Sequence, residues 1–112
     1  MKARWHIVEA AGEMTLCRQL PPRFDVAATA HLPAARPVRL AHQIRQDLWR
    51  ALAHVRGFSP VVRLAPSDTG WRVTAGGRVM GRTPPAVETK IDALLNDASK
   101  RARWVRNARV TR

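Results

Sequence analysis

The feature that most restricts this chain is a nine-residue alternation. From Phe24 to Leu32, the residues Phe24, Val26, Ala28, Ala30 and Leu32 share one parity, and Asp25, Ala27, Thr29 and His31 share the other. A period of two puts one set on each face of a strand, so this segment calls for a sheet with one buried side and one wetter side. Its alanines pull the other way, because Ala is depleted in strands. Neighbouring segments repeat the pattern. Arg4–Ala10 (RWHIVEA) and Glu13–Leu20 (EMTLCRQL) alternate around Ala11-Gly12, which predicts a hairpin that Pro21-Pro22 terminates. Ser59–Ala65 and Trp71–Ala75 flank Pro66-Ser67-Asp68-Thr69-Gly70, and predict a second hairpin.

Two segments change period. Over Leu40–Arg56, the residues Leu40, Ile44, Leu48, Ala51, Leu52 and Val55 fall on one arc of a helical wheel. Gly57 suits the position after the helix, and Arg56 suits its negative end. Over Ala86–Val110, Val87, Ile91, Leu94, Leu95, Ala98, Ala102 and Val105 recur at helical spacing, with Asn96-Asp97 as a point where a new helix can begin on an Asp N-cap. The resulting order is ββ-β-α-ββ-α. Short hairpin links favour antiparallel pairing, so the expected fold is α+β: a two-layer sandwich with an antiparallel sheet of about five strands and two helices on one face. It is read as one domain over 1–112, with a basic C-terminal helix or tail from about residue 98.

Charge is the second constraint. Lys plus Arg number 20 against 8 Asp plus Glu, a formal +12 at pH 7 over 112 residues. A GC-rich genome accounts for Arg over Lys but not for basic over acidic. Self-repulsion of this size opposes compaction, and a polyanionic partner relieves it. One cysteine, Cys17, excludes an intrachain disulfide and a thiolate zinc site. No apolar run has membrane-spanning length, and His6, Glu9 and Glu13 interrupt any signal-like core near Lys2 and Arg4. The expected location is the cytoplasm, with no membrane partner.

The cations concentrate in two places. Lys100, Arg101, Arg103, Arg106, Arg109 and Arg112 occupy the C-terminal run without an acid from residue 98 onward. Guanidinium forks on a helix suit phosphate oxygens; the plainer reading is a solvated helix end matched to its dipole. On the middle helix, His42, Arg45, Trp49, Ala53 and Arg56 lie opposite the apolar arc. Trp49 is out of place there. It either stacks on a base or partner, or is covered by a neighbouring segment with its ring against arginine stems. Trp49 and Trp104 are the expected aromatic anchors. The sheet's polar face, with Arg63, Arg72, Thr74, Asp25, Thr29 and His31, carries too few aromatics for a base-reading sheet and reads as an ordinary wet surface.

Catalytic signals are weak. A Cys17–His31–Asp25 triad can be drawn on adjacent strands, but Cys17 reads better as a small buried apolar residue. His42 and His54 lack metal-pair spacing. Thr74-Ala75-Gly76-Gly77-Arg78 and Gly81-Arg82-Thr83 depart from the phosphate-loop pattern, and read as turns. The expectation is therefore a protein that is not an enzyme and uses no cofactor or metal. It would bind nucleic acid (DNA or RNA) by its phosphates, through Lys100, Arg101, Arg103, Arg106 and Arg109 with help from Arg45 and Arg56, and without strong sequence reading. The alternative is a protein-interaction module or complex subunit, meeting an acidic protein surface or forming a homodimer through its Trp and Arg anchors.

Overall fold

A computed structural model describes residues 4–110. Strands β1 (His6–Ala10) and β2 (Glu13–Cys17) form the first hairpin. Its turn residues, Ala11 and Gly12, both have positive φ, 53° and 79°. That pair of left-handed residues gives the twist a two-residue hairpin needs; glycine adopts it freely, whereas Ala11 does so against its Cβ. After β3 (Val26–Pro33) and α1 (Pro37–Leu52), β4 (Ser59–Ser67) and β5 (Gly70–Arg78) form the second hairpin around Asp68-Thr69. All five strands make one antiparallel sheet in the order β1-β2-β4-β5-β3. The expected α+β sandwich is therefore the observed architecture.

The helices share one face of the sheet. Met14, Leu16, Val62, Leu64, Val73 and Ala75 meet Leu40, Ile44, Leu48 and Leu52 from α1 and Val87, Ile91 and Leu95 from the next helix in a single core. Full burial of each of these Met, Leu, Val or Ile side chains contributes about 1.5–3 kcal/mol, and that of Ala75 less. In β3, Val26 and Leu32 are buried on this side and Ala28 and Ala30 pack against it, while Thr29 and His31 face solvent. The alternation that predicted a two-faced strand holds despite the alanines.

Three helices, not two, cover the sheet. The C-terminal segment splits into α2 (Ala86–Leu95) and α3 (Ala98–Asn107). Asp97 between them is extended, and its carboxylate accepts the Lys100 backbone N–H at 2.9 Å. The break resets the wheel. Ala98 and Ala102, expected inside on one continuous helix, are exposed; Trp104 and Ala108 are buried instead. At its other end, α1 stops at Leu52, short of the expected Arg56, and a turn leads to Gly57 (φ 71°).

The far side of the sheet is only partly wet. Residues 18–25 carry the chain from β2 across β4 and β5 to the edge strand β3. Arg78 donates to the Pro21 carbonyl, the Arg63 guanidinium lies 5.2 Å from the Phe24 ring centroid, and Asp25 accepts the Val79 N–H at 3.0 Å. Val61 is buried on that side, and so is Cys17. Gly76 and Gly77 are not a turn but the interior of β5. A Cβ on Gly76 would stand 2.0 Å from the Val26 carbonyl oxygen, and one on Gly77 would stand 2.0 Å from that of Ser59, so only glycine fits between the neighbouring strands.

Candidate nucleic-acid interface

Surface charge in this fold depends on which cations find acids. α3 is the clearest case. Lys100 pairs with Asp97 at 3.7 Å. Arg101 donates to the Leu95 and His31 backbone carbonyls, which ties α3 to the end of α2 and to the edge of β3. Arg103 pairs with Asp47 of α1, a buried carboxylate. Trp104 is 0% exposed, and its indole N–H donates to the same carboxylate at 2.6 Å. Trp104 is thus a core residue and not the surface anchor the sequence suggested; Arg103 is paired with a carboxylate, and Arg101 is tied to backbone carbonyls while remaining part-exposed. The reason is simple: Trp104 is the largest apolar group in a basic stretch, so α3 turns that side inward and takes its neighbouring cations along.

Arg106 and Arg109 behave differently. Both are exposed, and no carboxylate among the described residues pairs with either. They lie where the end of α3 meets the start of α1: the Arg36 N–H donates to the Ala108 carbonyl at 2.7 Å, and Asn107 donates to Gln43 at 3.1 Å. At this corner the contact joins the end of α3 to the segment that carries Arg36 and Arg39, which are also exposed and without an ion pair among the described residues. Sequence reasoning missed these two. A signal was present, because α1 starts with Arg36 and Arg39 and has no acid in its first turn. Cations at the positive end of a helix oppose its dipole. Beside the corner, Leu32, Pro33, Ala102 and Val105 floor a groove of about 440 Å³ whose other lining residues are Arg101, Arg106 and Arg109.

The stripe on α1 makes a second feature. Trp5 packs over it, edge-on to His42 with ring centroids 6.2 Å apart, and the Arg45 guanidinium lies 4.6 Å from the Trp5 ring centroid. Arg45 Nη2 donates to His42 Nδ1 at 2.9 Å, which requires a neutral His42. Burial, with the Arg45 charge adding to it, holds His42 below its ordinary pKa, consistent with that proton arrangement. Arg45 Nε is buried with no hydrogen-bond partner among the described residues. Trp49 is 45% exposed and stacks on Phe58, with planes 17° apart and centroids at 6.4 Å. Trp49 is therefore covered on one side by Phe58 and open on the rest. Trp5, Arg18, Arg45, Trp49 and Pro60 enclose a cleft of about 200 Å³. Arg56 is exposed in the turn beyond α1, at the end of the helix away from the corner, so the fold does not bring it together with Arg106 and Arg109. Arg112 lies outside the described residues.

The drawn triad does not assemble. On the far face of the sheet, Cys17 pairs in register with Val61 on β4, whereas His31 pairs with Arg72 near the other end of β3 and β5. Burial pushes the Cys17 thiol upward, away from thiolate. Asp25 is held low, first by the Arg23 side chain at 2.9 Å and then by the Val79 N–H. Among the described residues, no three His, Cys, Asp or Glu side chains gather as a metal site, and no helix is long and apolar enough to cross a membrane. Compared with protein-family models, with curated proteins and with solved structures, the chain matches none.

Proposed function

We propose that this chain is a non-enzymatic protein that binds nucleic-acid phosphates with little sequence reading. One observation carries the proposal: Arg36, Arg39, Arg106 and Arg109 are exposed, unneutralised by any described carboxylate, and belong to the two chain segments that the Arg36–Ala108 backbone bond joins. Four like charges on two joined segments repel one another, and a string of phosphates relieves that repulsion while each guanidinium offers a bidentate fork. Nothing at the corner is shaped to read base edges, which suits contacts that position rather than specify. The protein-interaction alternative draws less support, because Trp104, one of its two aromatic anchors, belongs to the core.

The test is fluorescence anisotropy with a labelled DNA duplex over a salt series. Four phosphate contacts give a log–log slope near −3.6, or about 150-fold weaker binding at 200 mM salt than at 50 mM. Replacing Arg36, Arg39, Arg106 and Arg109 together by Ala brings the slope close to zero. A wild-type slope that is already flat, or no binding in dilute buffer, refutes the reading.

A further inference from the structure

The cleft formed by Trp5, Arg18, Arg45, Trp49 and Pro60 contains two arginines and, among the described residues, no acid. Arg45 is the more unusual of the two. Its charge is partly buried, its ring partner is Trp5, its hydrogen-bond partner is the imidazole of His42, and its Nε has none. A guanidinium partly withdrawn from water without an acid carries an uncompensated charge that an anion in the cleft would offset, although its buried Nε has no surface for that anion to touch. Arg18 is exposed at the same cleft and adds a second charge. Phe58 backs the Trp49 ring and fixes its plane, while the indole remains a wall of the cleft. An anion attached to a flat apolar group suits the two positive charges and the indole wall. The volume of about 200 Å³ is below the roughly 300–1,000 Å³ of whole small-molecule sites, so it suits one planar unit of a longer chain.

From the juxtaposition of Trp49 with the Arg18 and Arg45 guanidiniums, we infer that this cleft takes one unpaired nucleotide of a single strand, its base against Trp49 and its phosphate on the arginines. The inference rests on the phosphate-binding reading above and sharpens it. Arg39 and Trp49 are ten residues apart on α1, about 15 Å along the axis, so one strand lying on the helix reaches both corner and cleft. A base can enter only when it is not paired, so the cleft adds affinity for single strands and none for duplex. Stacking on an aromatic side chain is tolerant of base identity, in keeping with the absence of sequence reading.

The experiment compares oligothymidylate with a hairpin duplex carrying the same number of phosphates, by anisotropy and by quenching of tryptophan fluorescence. The wild-type chain, Trp49→Ala and Arg18→Ala are titrated at one low salt concentration. The expected result is tighter single-strand binding by wild type, with quenching. Each variant loses about tenfold on the single strand and stays within about twofold on the duplex. Arg18 is exposed, so its variant keeps the test valid if Trp49→Ala unfolds. If both substitutions leave single-strand affinity within about twofold while the duplex still binds, and binds with the salt slope that the duplex salt series measures, the cleft inference is overturned and the phosphate reading stands. If an acidic peptide quenches as well as oligothymidylate does, the cleft inference is likewise overturned. If neither polymer binds, both fail.

Discussion

Lys100–Trp104 and Arg106–Arg109 sit on one helix and its end, about a turn apart, and carry similar charge, yet the fold uses them in opposite ways. In the first stretch only Trp104 is buried, but each cation has a partner within the fold: Asp97 takes Lys100, backbone carbonyls take Arg101, and Asp47 takes both Arg103 and the Trp104 indole. The second stretch meets the start of α1, where the neighbours are Arg36 and Arg39 instead of acids. The lesson is that cation density along a sequence does not measure available charge. What faces the helix decides whether an arginine is a strut or a contact.

The sharpest way to break this comparison is Trp104→Ala. If the first stretch is structural, removing its fully buried ring costs about 3–5 kcal/mol, visible as a lower urea midpoint; a loss confined to binding would reverse the assignment. Asp47→Ala comes next. It strands the buried indole N–H and the Arg103 guanidinium together, and should lower stability by about 2–3 kcal/mol in the same measurement.

Replacing Arg106 and Arg109 together by Ala tests the other half. Stability should stay within about 0.5 kcal/mol, while the salt slope on duplex falls by about 1.8. The Arg101/Arg103 double variant should do the reverse, lowering stability with the slope unchanged. The smallest effect concerns His42. Its folded pKa is below the ordinary 6.5, so the unfolded chain takes up a proton first as pH falls. His42 therefore supports the fold above pH 6.5, and that support is lost as pH drops from 6.5 through the folded value. Urea midpoints on either side of pH 6.5 should differ in wild type and differ less in His42→Gln.

Much of the architecture was legible because it is local. Val26, Leu32 and the alanines between them announce a two-faced strand by parity alone, and Asp97 announces a helix start by its side chain. The sheet's far face was not legible. Nothing in the period of Glu13–Leu20 tells that residues 18–25 fold over Cys17, because that depends on β2 and β3 lying at non-adjacent positions in the sheet. The candidate site was half legible. Trp49 stood out as a misfit on a wheel, flanked by Arg45, whereas Trp5 and Arg18, just before β1 and just after β2, join them only when the chain folds these two ends of the first hairpin against α1.

Whereas the glycines of β5 could not be read from the chain alone, the α+β layering, the two hairpin turns and the surplus of positive charge could. Those follow from side-chain period, turn chemistry and composition, all of which act over a few residues or over none. Only the tertiary structure decided which cations remain available. Asp47 and Arg103 are 56 positions apart, and their pairing exists because α1 and α3 pack against each other. Ion pairing acts through space, so its outcome is fixed by packing and not by order along the chain.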